Sequence, residues 1–168
     1  MKKVAKFMKV SWEQFYQDSI KLFPQLAESE IKKAYEQICL PKRASIGSAG
    51  YDFVTPYSFS LKPNEIVLLP SGIRANINNA FVLMVFPRSS LGMKYQLMLA
   101  NTTGIIDADY YHASNEGHIQ FPLINRGESL FSCHQGERIV QGIFLPYYGA
   151  EEEEVVEVRN GGFGSSGK

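Results

Sequence analysis

The segment Asn101-Thr102-Thr103-Gly104-Ile105-Ile106-Asp107-Ala108-Asp109-Tyr110 sets a carboxylate directly after two β-branched apolar residues. Burial raises a carboxylate pKa and hydrogen bonds lower it, so Asp107 has the makings of a base toward a water molecule. Tyr110, three residues on, is suited to packing against a ligand ring. Asp107 and Asp109 also form an Asp-x-Asp pair that could hold a metal directly.

Three other clusters carry polar groups of the right kind. Pro87-Arg88-Ser89-Ser90-Leu91-Gly92 follows an apolar run, so a guanidinium and two hydroxyls emerge at a strand end. The guanidinium fork matches phosphate oxygens, and the hydroxyls add directed donors. In Ser48-Ala49-Gly50-Tyr51-Asp52-Phe53 an acid lies between two aromatics and needs a partner, either an arginine or a hydrated metal. In Gly136-Glu137-Arg138-Ile139-Val140-Gln141, Gln141 is polar inside an apolar run and needs partners from protein or ligand. The tail holds Arg159, Phe163 and many glycines, a composition able to wrap phosphates through backbone N–H groups. It is not a P-loop, because no Ser/Thr follows Lys168. His112, His118 and His134 have no zinc-ligand spacing.

These clusters need a scaffold, and the sequence divides into two regimes. Ser11 and Gln14 have capping-box spacing. Trp12, Phe15, Tyr16, Ile20 and Phe23 follow at helical spacing to Pro24, and Ile31, Ala34, Tyr35 and Ile38 repeat to Pro41. Residues 11–40 therefore read as a helical hairpin, a flap over part of the core. From Ala49 onward the pattern is of short strands: around Tyr57–Leu61, then Ile66–Leu69, Ile73–Ile77, Phe81–Phe86, Gln96–Leu99, Ile119–Ile124, Leu130–Ser132 and Arg138–Leu145, with Val155–Val158 as a last candidate. Turn residues punctuate them at short intervals, which predicts an all-β body of jelly-roll type.

Composition sets outer limits. The 168 residues are 45% hydrophobic and 20% charged, an ordinary globular balance for one domain. Seventeen basic and seventeen acidic side chains cancel, which excludes a basic nucleic-acid coater. The longest apolar run, Phe81–Phe86, is far too short to span a bilayer, and no apolar stretch follows Lys2-Lys3 to make a secretory signal. A cytoplasmic protein with no nucleic-acid or membrane partner is expected, with Cys39 and Cys133 reduced and buried.

Taken together and in order, the clusters resemble the five motifs of the trimeric deoxyuridine triphosphate nucleotidohydrolases (dUTPases), over about Leu40 to Lys168. The resemblance implies an all-β jelly-roll β-barrel assembling as a homotrimer. Residues 1–40 form an N-terminal helical extension, 41–158 the β domain and 159–168 a lid. It implies hydrolysis of dUTP to dUMP and diphosphate, with Asp107 as the base for a water attacking the α-phosphorus. Tyr110 would pack on the deoxyribose, and Asn101, the backbone of Gly104, Ile105 and Ile106, and Gln120 would line the uracil pocket. Arg88, Ser89, Ser90 and Gln141 would hold phosphates. Asp52 would support Arg88 or a water on Mg²⁺, the ion being held mainly by substrate phosphates. Arg159 and Phe163 would close over the nucleotide. Three features depart from the family pattern. Residues 111–116 lengthen the hairpin after Tyr110, Arg159 stands four rather than five residues before Phe163, and the helical stretch lies outside the common core. The alternatives are a dCTP deaminase of the same fold, or a regulatory module that binds another protein.

Overall fold

A computed structural model describes residues 2–152. The candidate strand over 155–158 and the tail residues Arg159 and Phe163 lie outside them. The chain begins β1 (Ala5–Lys9), α1 (Trp12–Leu22) and α2 (Glu28–Gln37). Strands β2 (Lys42–Arg43), β3 (Tyr51–Val54), β4 (Phe59–Leu61), β5 (Ile66–Pro70), β6 (Ile73–Ile77) and β7 (Phe81–Pro87) follow. Then come α3 (Ser89–Tyr95), β8 (Leu97–Leu99), β9 (Gly104–Ile106) and a 3₁₀ turn (Ala108–His112). Strands β10 (Gln120–Asn125), β11 (Phe131–Cys133) and β12 (Arg138–Pro146) complete the described fold.

The largest sheet has the order β2-β3-β12-β7-β9, so the late strand β12 lies between two early ones. A second sheet runs β5-β10-β8, and the pairs β1-β6 and β11-β4 complete the set. The ladders are antiparallel. Among the described residues no sheet closes on itself. In place of the expected barrel, open sheets pack around one core, with β2 and β9 as edges of the largest.

Alternation makes that core. β4, β8, β9 and β11 each bury their first and third residues and expose the middle one, which is the period of two in a strand with one wet face. Phe53, Leu83, Val85 and Ile106 from the largest sheet meet Leu69, Leu97, Phe121 and Leu123 from the second. The helical hairpin joins the same cluster through Phe15, Phe23, Ile31 and Ile38. Phe15 and Ile31 are fully buried, each stabilising the fold by about 1.5–3 kcal/mol. The outer face of the second sheet carries exposed Ile66, Leu68 and Met98. Ile124 stands between Ile66 and Met98 in the ladder.

Four local expectations change. Ser11 caps α1 through a bond from the Gln14 N–H (3.1 Å), but the Gln14 amide goes to Asp18 Oδ2 (2.9 Å) and not back to Ser11. Glu116 takes the Ser11 N–H in its place (2.9 Å). β1 was hidden by its two lysines, Lys6 and Lys9, yet it pairs along β6 from Ala5↔Ile77 to Lys9↔Ile73. The residues after Asp107 are a 3₁₀ turn and a loop rather than a longer hairpin. Both cysteines are free, but Cys39 is exposed because it falls beyond the buried face of α2. Cys133 is buried, and burial, then the hydrogen bond and charge of Glu137, push its thiol up to about 12.

Candidate active site

β12 builds the first half of the site. Its central position puts Gln141 opposite Asp52 on β3 and opposite Phe86 on β7. β7 ends at Pro87, and Arg88 is the N-cap of α3, so the chain turns at the point where Arg88 faces Asp52. Arg88 Nε lies 3.1 Å from Asp52 Oδ1, and Arg138 Nη1 lies 3.1 Å from Oδ2. One carboxylate thus orients two guanidinium groups, which answers the need for a partner that its sequence position raised.

Asp52, Arg88, Ser89, Ser90 and Gln141 line one cavity of about 270 Å³ with Ala44, Ser48 and Gly50. Gly50 leaves room for the Gln141 amide, since a Cβ would come within 2.7 Å of Gln141 Oε1 and push that amide aside. Gln141 Nε2 makes a long 3.5 Å contact to the Pro87 carbonyl. The first N–H groups of a helix lack intrahelical acceptors, and in α3 these belong to Ser89 and Ser90. The cavity therefore offers hydroxyls, N–H donors and a guanidinium, the set an oligophosphate needs.

β9 builds the second half on the other edge of β7. The ladder runs Val85↔Gly104, Met84↔Ile105 and Leu83↔Ile106. Gly104 lets the strands close, since its Cβ would lie 3.2 Å from Val85 Cβ. Ile106 is buried while Ile105 is 48% exposed. Asp107 follows on the exposed side. Asn101 is exposed too. Tyr110 is 3% exposed; its hydroxyl donates to the His118 carbonyl (2.9 Å) and accepts from Asn115 Nδ2 (2.8 Å). Gln120 is half-buried at the start of β10.

The two halves do not meet. Asp107 follows the residue paired with Leu83, whereas Arg88 lies five residues further along β7, roughly 17 Å at the rise of a strand. One chain groups Asp52, Arg88, Ser89, Ser90 and Gln141, and groups Asp107 with Tyr110, but holds the groups apart.

Among the described residues no three His, Cys, Asp or Glu side chains come together as a metal set. Among the described residues Asp52 is the one carboxylate lining the cavity, a donor set that suits an ion carried mainly by phosphate oxygens and water. Arg138 was not singled out from sequence, although it stands in the same motif as Gln141. No helix among the described residues is long and apolar enough to cross a membrane.

Comparison with known proteins identifies the family. A dUTPase family profile matches residues 36–167. The deoxyuridine 5'-triphosphate nucleotidohydrolase of Lactococcus lactis is 41% identical over 133 residues, spanning 77% of this chain and 89% of the relative. That of Shewanella piezotolerans is 36% identical over 139 residues, 78% of this chain and 88% of its own. A crystal structure of the dUTPase from Streptococcus mutans superposes with a TM-score of 0.66 at 31% identity, covering 86% of this chain and 98% of that one. The dUTPase from phage phi11 of S. aureus shares the fold at 17% identity, with a TM-score of 0.66 over 92% and 97% of the two chains.

Proposed function

The chain belongs to the dUTPase family, the dUTP diphosphatases, and from that premise we propose how its residues hydrolyse dUTP to dUMP and diphosphate. The observation that carries the reading is the cavity in which Asp52 orients Arg88 beside Ser89, Ser90 and Gln141. These groups hold the phosphate chain. Asp107 removes a proton from water as its oxygen bonds to the α-phosphorus. The bond from that phosphorus to the bridging oxygen breaks, and diphosphate leaves with the oxygen. The Arg88 guanidinium faces the charge that builds on the leaving group. Asp52, through a water, would help hold a Mg²⁺ ion carried with the substrate, which would supply further charge neutralisation there. Asn101, the backbone of Gly104, Ile105 and Ile106, and Gln120 are proposed for the uracil side. The Tyr110 ring lies against the deoxyribose and leaves no room for a 2′-hydroxyl. Arg159 and Phe163 are proposed as the lid.

The separation of Asp107 from Arg88 along β7 supports a site completed by a second copy, and hence a jelly-roll homotrimer with sites between subunits. The exposed apolar side chains Ile66, Leu68 and Met98 support the second sheet as a contact between copies.

The test is diphosphate release from dUTP, UTP, dCTP and dTTP with Mg²⁺. Rapid turnover of dUTP with much slower turnover of the others is expected. Equal kcat/KM for dUTP and UTP would sink the role of Tyr110, and ammonia release from dCTP would select a deaminase.

A further inference from the structure

Nothing in this hydrolysis uses α1 or residues 111–118, yet the two are fastened together beside Tyr110. At one end the Ser11 N–H and hydroxyl donate to the two Glu116 oxygens, at 2.9 and 2.7 Å. Arg74 on β6 donates to the Tyr111 carbonyl (2.7 Å), stacks 3.8 Å from the Tyr111 ring centre and lies 3.7 Å from Glu116. At the other end His118, fully buried, meets Asp18 Oδ2 through Nδ1 at 2.5 Å. The Gly72 N–H donates to His118 Nε2 (2.8 Å), so Nε2 must be the acceptor and Nδ1 carries the hydrogen toward Asp18. The His118 carbonyl then receives the Tyr110 hydroxyl.

Gly117 allows the close fit. Its φ is +69°, and a Cβ there would stand 2.6 Å from the Tyr110 carbonyl and 2.8 Å from Tyr111 Cα. A chain of contacts thus runs from the Asp18 carboxylate through the His118 ring and carbonyl to the Tyr110 hydroxyl. A buried polar pair is a poor way to gain stability, because an apolar pair of similar size packs as well without desolvating charge. What the polar pair adds is direction. It fixes one orientation of the residue that receives Tyr110.

We propose that α1 is a positioning element for catalysis: Asp18, acting through His118, holds Tyr110 and the turn beginning at Asp107, and so sharpens selection against a 2′-hydroxyl. This rests on the assignment of Tyr110 to the sugar. Asp18 and His118 are positioning residues and touch no substrate. A Tyr110 ring free to shift would tolerate UTP, on the scale of a misfit of about one methyl-sized group.

The experiment measures kcat/KM for dUTP and UTP on the full chain and its variants. Asp18→Ala should lower the dUTP:UTP ratio about tenfold. Asp18→Asn, which keeps an acceptor for Nδ1–H, should restore most of it. Ser11→Ala and Glu116→Gln loosen the far end and should lower the ratio less, in the same direction. A merely structural role would reduce the active fraction for both substrates alike, so an unchanged ratio in folded Asp18→Ala overturns the proposal. If Asp18→Ala does not fold, unchanged ratios in both Ser11→Ala and Glu116→Gln overturn it. A wild-type chain that fails to prefer dUTP would overturn the assignment of Tyr110 itself.

Discussion

Replacing Asp52 with Asn tests the phosphate cavity at its most connected residue. The shape is kept, but the charge is lost, and an N–H₂ faces one of two guanidinium groups now met by carboxylate oxygens at 3.1 Å. The Arg138 side chain is 51% exposed, so its share is a surface pair worth about 0–1 kcal/mol. The Arg88 contact is less exposed, at 26% and 12% for the two side chains, and a charge-assisted bond there is worth about 1.5 kcal/mol. Removal should lower Tm by about 3–6 °C in a chain of this size. If the same energy aims Arg88 at the phosphates, kcat/KM for dUTP falls about tenfold. Thermal unfolding and steady-state diphosphate release read the two effects separately. Arg138→Ala should stay within about threefold of wild type, in keeping with its exposed share. Folded Asp52→Asn with unchanged kcat/KM would refute the orienting role of Asp52. Recovery of its activity at raised Mg²⁺ would assign Asp52 chiefly to the metal's water.

Asp107→Asn should keep dUTP affinity near wild type in equilibrium titration while kcat falls by roughly 10²–10⁴; a near-normal kcat would remove Asp107 from the role of base. Burial pulls the Glu116 and Asp18 carboxyls upward, but for Glu116 the Ser11 bonds and the Arg74 charge win, and for Asp18 the His118 and Gln14 bonds win, so both sit below their ordinary values. The folded state then binds fewer protons than the unfolded one, and stability should fall below about pH 5, as pH drops through the carboxylate range toward the lowered folded values. Glu116→Gln should flatten that acid limb in Tm measured against pH, and an identical limb would show that Glu116 does not contribute. Leu68→Glu on the outer face of the second sheet should weaken self-association in light scattering while leaving the far-UV spectrum intact; unaltered assembly would place the contact elsewhere.

The helices were legible because Trp12 to Phe23 and Ile31 to Ile38 repeat with the period of an amphipathic helix, and that period is local. β7 was legible as an apolar run bounded by Asn79 and Pro87. α3 was not, since Ser89–Tyr95 buries no residue fully and so leaves no stripe to read. That Asp52 needs a partner could be anticipated from chemistry, because it is an acid between aromatics, but chemistry left an arginine and a hydrated metal both open, and Arg88 came from the resemblance. The pairing of Asp18 with His118 could not be anticipated, the two being a hundred residues apart and brought together only where α1 meets the loop before β10. The exposure of Asp107 follows from alternation as well. Two isoleucines precede it, but strand alternation turns Ile106 inward and leaves Ile105 and Asp107 facing out.

The central claim is that a working site takes Asp107 from one copy and Arg88 from another, and complementation tests it directly. Asp107→Asn and Arg88→Ala chains should each be nearly inactive alone. Co-expressed and purified as verified mixed assemblies, they should regain activity, because random pairing unites an intact Asp107 with an intact Arg88 in about a quarter of sites. Mixed assemblies that contain both chains and remain as inactive as the parents would contradict the shared site.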